Sequence, residues 1–262
     1  MKKVFAIAEF TIRKVEEPAF IILLAFGVIC GYFVSEMEVF NLGKEYLQIE
    51  AFSSQSEQAL PLLGGFVVLI MLTLLLSTFY GATDVPREIE SGITMLLLGK
   101  PISRTEFLLG KYLGIVCISL LFYFLSSIAL VVGHFFKTGQ FLAINLILRQ
   151  LLLILLIFPL TALNITFSCF FNDLSAIIIS AIYLLFSLAA SLIPIALTLI
   201  PKSAGIDIWL NLIYYLFPNL FFFLLPSKIP GVIFISMILY AISLSLCFLF
   251  IASVKFENKD LI

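Results

Sequence analysis

The residues best suited to chemistry or to partner binding are concentrated in one segment, Thr83–Lys111. This charged segment holds eight of the chain's 15 basic and 16 acidic residues, interspersed with hydroxyl residues and with Gly92, Gly99 and Pro101. On either side the sequence is apolar for about the thickness of a membrane. A charged segment between two such stretches is typical of a place where a membrane protein meets a soluble partner.

The same residues do not form a nucleotide-binding loop, which needs Gly, four residues and then Gly-Lys-Ser/Thr to hold phosphate. In the nearest approach, Gly99-Lys100-Pro101, proline replaces the hydroxyl residue, and Met95 lies near the position of the first glycine. The apolar stretches contain no Asp, Glu, Lys, Arg or His in their interiors, which argues against proton-coupled transport and intramembrane hydrolysis. We therefore expect no catalytic residue, no cofactor and no metal ligand in this chain.

The composition predicts an all-α polytopic membrane protein. The chain is 62% hydrophobic and 12% charged, with a mean hydropathy of +1.19. We expect a single domain, residues 1–262, because no linker or repeat divides the sequence. Six stretches approach or exceed the roughly 20 residues needed to cross the hydrocarbon: Ala19–Val34, Leu60–Ala82, Tyr112–Gly133, Gln150–Phe171, Ser175–Ile200 and Gly231–Val254.

The distribution of lysine and arginine predicts the orientation of these spans. With six spans, ten of the 15 basic residues fall on one side of the membrane, including those of the charged segment. The positive-inside bias then places both termini and the charged segment in the cytoplasm, and the acidic loop Glu36–Glu57 outside. The formal net charge of −1 gives no indication of a nucleic-acid partner.

The N-terminus is predicted to be an amphipathic helix on the inner membrane surface, over Lys2–Glu17. Val4, Ala8, Ile12 and Val15 share its apolar face.

The region 208–225 is interrupted by asparagine and proline and is predicted to form re-entrant helices on the outer side, between spans five and six. The alternative is a seventh span, which would place Lys255 and Lys259 outside, against the positive-inside bias.

Two kinds of residue interrupt the apolar spans. Pro159 and Pro194 are expected to kink the fourth and fifth spans. Asn164, with Thr161 and Thr166 nearby, forms the most polar group inside a span. Hydrogen bonding between helices is the simpler interpretation of this group, and contact with a transported substrate is the alternative.

Within the charged segment, the residues predict two short helices joined by a corner. Asp84 is expected to cap the first helix, with Pro86 in its first turn and Gly99 as its stop. Its predicted apolar stripe is Ile89, Ile93, Leu96 and Leu97.

The second helix begins with a capping box, in which Ser103 and Glu106 each satisfy the other's backbone N–H. Ile102 and Phe107 occupy the positions of a hydrophobic staple.

Glu88–Thr94 and Leu98–Lys111 resemble the cytoplasmic signature of ABC-2-type ABC transporter permeases. The most similar branch is that of multicopper-enzyme and nitrous-oxide-reductase maturation systems. Its pattern is approximately E-x-E-x-G-T, an apolar stretch, P-[IVL]-S-R and then L-L-G-K. Two departures are Ile93, where the family often has threonine, and Arg87-Glu88 in place of the common Gly-Glu pair.

The resemblance implies the permease subunit of an ABC transporter, an exporter in a prokaryotic inner membrane. ATP and Mg would bind to a separate ATPase subunit that docks on a coupling helix, Asp84–Leu98, and a second permease copy or a paralogue would complete the path. The positions implied in coupling are Asp84, Arg87, Glu88, Glu90, Gly92, Thr94, Lys100, Pro101, Ser103, Arg104 and Glu106.

Two other functions fit the residues. One is a membrane scaffold that recruits a soluble partner without transport. The other is an integral-membrane enzyme acting on lipid, for which Asn164 and its threonines are the candidate site.

Overall fold

The computed structural model describes residues 2–14, 21, 25–29, 59–99, 102–139, 150–190, 193, 208–210, 214, 217–218 and 231–258. Among these residues, seven helical elements have bounds that can be given and no strand occurs. They are α1 (Lys2–Lys14), α2 (Ala59–Glu90), α3 (Ile93–Leu98), α4 (Arg104–Thr138), α5 (Ile157–Phe170), α6 (Asp173–Ala190) and α7 (Gly231–Glu257).

The prediction of an all-α polytopic membrane protein is confirmed. Within the described ranges, five helical stretches are long and apolar enough to cross a membrane: Gly65–Glu90, Arg104–Phe136, Gln150–Phe170, Asp173–Ala190 and Ile235–Glu257. They correspond to the second to sixth predicted spans. The predicted first span, Ala19–Val34, and Pro194 fall largely or wholly outside the described residues, as does most of 208–225.

The helix α5 lies at the centre of the bundle, against α2 on one side and α7 on the other. Nearly all of its side chains are buried. Its start also confirms the effect expected of Pro159. Two residues, Leu155 and Leu156, form a turn with i−3 hydrogen bonds, and α5 begins immediately after them. Proline in the first turn of a helix needs no N–H partner, so the break falls just before it.

The predicted helix start at Asp84 is wrong, because α2 continues without a break through Pro86 to Glu90. Asp84 caps no helix; its carboxylate binds two lysines instead. The predicted coupling helix Asp84–Leu98 is therefore two elements, the last turns of α2 and the short α3. They are joined at Gly92, whose φ of 74° places it in the left-handed region that favours glycine.

The corner between α3 and α4 follows the sequence prediction more closely. Helix α3 ends at Leu98, beside Gly99. At the start of α4, Ser103 accepts from the backbone N–H of Glu106 at 3.1 Å, and the Glu106 carboxylate accepts from the N–H of Ser103 at 3.0 Å. The capping box is confirmed. Ile102 and Phe107, the predicted staple pair, belong to the same apolar cluster.

The N-terminal helix α1 lies within the predicted range, and one of its faces packs against α4. Its buried residues are Ile7, Ala8 and Thr11, whereas Ile12, predicted on the apolar face, is exposed. The reason lies in α4, where Gly110 and Gly114 let the two backbones approach closely. A Cβ atom at Gly110 would lie 2.6 Å from Ile7 Cβ, and one at Gly114 would lie 2.7 Å from Thr11 Cβ.

Several helix ends meet at one end of the bundle, here called the charged end. Lys14 at the end of α1 contacts the end of α2, and Arg87 of α2 contacts Asp173 at the start of α6. Arg104 at the start of α4 contacts the last turn of α7. The described parts of both terminal helices thus reach the same end of the bundle, as an even number of spans requires.

Candidate functional site

The centre of the charged end is a cluster of two lysines and two carboxylates on three helices. Lys111 of α4 donates to Asp84 Oδ2 at 2.7 Å and to Glu88 Oε1 at 2.5 Å. Lys14 of α1 donates to Asp84 Oδ1 at 2.9 Å and to Glu88 Oε1 at 3.3 Å. Asp84 and Glu88 are four residues apart and so lie on one face of α2. The charges balance, two positive and two negative, and we call these four residues the charge cluster.

Burial makes the charge cluster a strong structural constraint. The side chains of Lys111 and Glu88 are fully buried. The Lys111 ammonium also lies 5.5 Å from the ring centroid of Phe10 and 5.8 Å from that of Phe107, positions suited to cation–π attraction. A buried charge that loses its partner is strongly unfavourable, so the cluster holds α1, α2 and α4 together as a set.

The ammonium of Lys14, at the edge of the cluster, stays protonated at physiological pH. Burial alone would lower its pKa, but the charges and hydrogen bonds of Asp84 and Glu88 outweigh burial and raise the pKa above the ordinary 10.5. A raised folded-state pKa gives stability that is fully present below the ordinary value and is lost only as the pH rises through the raised one. The Lys14 contacts are therefore constant over the physiological pH range.

Two arginines near the charge cluster contact the ends of α6 and α7. Arg87 Nε lies 3.0 Å from Asp173 Oδ2, with its guanidinium above the Phe79 ring. Arg104 donates at 2.8 Å to the carbonyl oxygens of both Phe256 and Glu257, the last residues of α7. An arginine at this position satisfies free carbonyls at a helix C-terminus and neutralises the negative end of the helix dipole.

The structure places the predicted coupling residues in different environments. Asp84, Glu88 and Thr94 are buried, while Ser103, Glu106 and Arg104 are engaged in the capping box and with α7. Glu90 is exposed, and so are Ser91 and Leu96, the latter 76% exposed. Leu96 belongs to the predicted apolar stripe, and the structure leaves it exposed. Lys100 and Pro101 lie outside the described residues.

The polar group in the fourth span contacts a neighbouring helix. Asn164, only 2% exposed, has its Nδ2 3.4 Å from Thr78 Oγ1 of α2. Thr161 and Ser77 have their hydroxyl oxygens 2.7 Å apart. A Cβ atom at Gly81 would lie 2.8 Å from Asn164 Cβ, so the two helices are in close contact there. This geometry agrees with hydrogen bonding between helices, the simpler of the two interpretations.

The comparison with known families bears directly on this arrangement. The family model described as ABC-2 family transporter protein matches residues 14–261 of the 262. The chain belongs to that family. No curated protein matches it. The match covers α2 to α7, and α1 only at its last residue, Lys14.

As an ABC-2 family member, the protein is a multi-pass permease subunit of an ABC transporter. The sequence interpretation singled out the charged segment but did not identify the residues that form its ion pairs. Lys14 and Lys111 were not among the predicted site residues, nor was Asp173. One signal was available: Asp84 and Glu88, one helical turn apart and close to apolar sequence, need cations within reach.

Proposed function

We propose that this permease is driven by a separate ATPase subunit that docks on the exposed part of the charged segment, and that it works as an exporter. ATP and Mg bind to that ATPase, and this chain holds neither. A second permease copy or a paralogue completes the path, and the charged end faces the cytoplasm of a prokaryotic cell. The signature in Glu88–Lys111 supports export and the maturation-system branch.

The observation that carries the proposal is the position of the charge cluster. It lies between the exposed turn at Ser91–Gly92 and the membrane-spanning parts of α2 and α4. Because α2 is continuous from Ala59 to Glu90, a displacement at that turn moves a span directly. The buried ion pairs pass the same displacement to α4 and α1. A switch of access between the two membrane faces needs coupled helix movement of this kind.

The surface proposed to meet the ATPase lies on either side of the turn at Gly92. Among the described residues there, Glu90, Ser91, Leu96 and Gly99 are exposed, and we call these four residues the docking surface. Leu96 is proposed as the apolar anchor, because burying an aliphatic side chain this exposed in a pocket on a partner is favourable. Glu90 adds a charge at the rim, which acts on association rate and specificity more than on affinity.

Replacing Leu96 by aspartate is expected to weaken ATPase binding roughly 30-fold, which corresponds to losing the burial of one leucine side chain, about 2 kcal/mol. Glu90→Arg should reduce the association rate with a smaller effect on dissociation. The measurement is binding of the purified ATPase subunit to the permease in nanodiscs, together with ATP-dependent transport into inverted vesicles.

Leu174→Asp is the matched control, because Leu174 is 71% exposed and lies in the first turn of α6, beside Asp173. Aspartate is favourable in the first turn of a helix, so this change should leave binding intact. Equal binding by wild type and Leu96→Asp would contradict the docking surface. ATPase recruitment that never supports transport would indicate the scaffold function instead. Glu88→Arg is unsuitable as a docking test, because it places a third positive charge inside the charge cluster.

A further inference from the structure

A groove at the charged end lies between α5 and α7, away from the docking surface. Its volume is about 350 Å³, and its walls are Phe170, Phe250, Ile251, Val254, Lys255 and Asn258. Four of the six are apolar and exposed, Phe250 most of all at 69%. The groove thus presents an apolar channel with polar atoms only at the end nearest the last turn of α7.

Lys255 is the cation of this groove, and its environment differs from that of the other basic residues nearby. Its ammonium lies 5.3 Å from the ring centroid of Phe170. Lys14, Lys111 and Arg87 each pair with a carboxylate, whereas within the described ranges no carboxylate pairs with Lys255. Among the residues that the structure describes, the groove therefore carries a positive charge that no carboxylate compensates.

The C-terminal end of a helix normally repels anions, because its free carbonyls carry partial negative charge. Here Arg104 binds the carbonyls of Phe256 and Glu257 and removes most of that effect. The Asn258 amide nitrogen donates to the Val254 carbonyl and satisfies another. The Glu257 side chain does not line the groove. An anion next to Lys255 consequently meets a cation without a competing negative group from the groove walls.

We infer that this groove binds an anionic phospholipid from the surrounding bilayer. One acyl chain lies along Phe250, Ile251 and Val254, and the headgroup phosphate lies beside the Lys255 ammonium. Lysine suits this position, because its apolar stem packs against the helix while the charge reaches the headgroup layer. Basic pockets between spans on the cytoplasmic side are a recognised form of lipid site.

The composition of the groove favours a lipid over two other occupants, a soluble phosphate and a second permease copy. A soluble phosphate would gain nothing from the four apolar walls. A second permease copy seated here would have to bring a carboxylate to Lys255 and would exclude lipid. The inference concerns the permease alone and does not depend on ATPase docking, so either can fail without the other.

The test is retention of phosphatidylglycerol by the purified full-length permease, titrated in neutral detergent and counted by native mass spectrometry. Lys255→Ala should weaken phosphatidylglycerol binding about fivefold, the effect of one basic residue at an anionic membrane surface. Binding of zwitterionic phosphatidylcholine should not change. Lys255→Arg should keep the wild-type affinity, and Val254→Trp, which fills the groove, should reduce the binding of both lipids.

Lys2→Ala is the matched control, because Lys2 is an exposed lysine on α1 outside the groove. It should retain phosphatidylglycerol as the wild type does. Three results would overturn the inference: equal retention by Lys255→Ala and wild type, full displacement of the lipid by soluble glycerol phosphate, or efficient disulfide formation between two Val254→Cys copies with lipid binding unaffected. Thermal unfolding of each variant establishes that it is folded.

Discussion

Replacement of Lys111 by methionine is expected to destabilise the permease by about 3–5 kcal/mol, the range measured when one partner of a buried ion pair is removed. Methionine keeps much of the side-chain volume but leaves Asp84 and Glu88 sharing the single charge of Lys14. One buried negative charge then has no compensation. The measurement is SDS-induced unfolding followed by circular dichroism.

The double variant Lys111→Met/Glu88→Gln separates charge from packing. It restores neutrality, with Lys14 facing Asp84 alone, and should recover a large part of the lost stability. Lys2→Met is the control, because this exposed lysine loses only solvated charge and should change stability by less than about 0.5 kcal/mol. If Lys111→Met is as stable as Lys2→Met, the charge cluster does not hold the three helices together.

Replacement of Gly110 by alanine is expected to destabilise the protein by about 1–3 kcal/mol, although alanine is the better helix former by about 1 kcal/mol. The added methyl group would lie 2.6 Å from Ile7 Cβ and 3.0 Å from the Val4 carbonyl oxygen, and neither of these atoms is the flexible end of a side chain. Helix α1 must move away from α4, and Lys14 then loses its two carboxylates.

Hydrogen exchange of the α1 amides in nanodiscs measures this movement. A helix of 13 residues is marginal on its own, so exchange should accelerate once α1 leaves α4. Leu109→Ala, next in sequence but exposed, should leave α1 protected. An alanine at position 110 that raises stability would show that α1 does not pack there.

The sequence was sufficient where structure depends on residues close together in the chain. The capping box at Ser103 and Glu106 and the break before Pro159 both arise from hydrogen bonds within a single turn, and both were predicted. The five described spans also follow from local hydropathy. Their placement in a membrane needs no knowledge of the neighbouring helices.

Sequence reasoning failed where a distant residue decided the outcome. Asp84 is a residue type that commonly caps helices, but its carboxylate instead accepts hydrogen bonds from Lys111 and Lys14. These lysines lie 27 and 70 residues away in the sequence. The apolar pattern of α1 gave no indication that the helix packs against α4. Two glycines in α4 instead admit the face containing Ile7 and Thr11, where backbone contact is closest. Neither preference can be derived from the segment alone.

The length of α2 and α4 has a mechanical consequence. They contain 32 and 35 residues, so at 1.5 Å per residue they measure about 48 and 52 Å, against a hydrocarbon thickness of about 30 Å. Eight residues of each helix, Thr83–Glu90 and Arg104–Lys111, lie beyond the spans predicted from the sequence, and they correspond to about 12 Å at the end where Asp84, Glu88 and Lys111 join the two helices. If each helix pivots as a stiff rod at the membrane surface, a sideways step of about 2 Å at the projecting tip becomes about 5 Å at the opposite face of the bilayer. The short external arm thus amplifies a small stroke into a displacement comparable to the pitch of one α-helical turn.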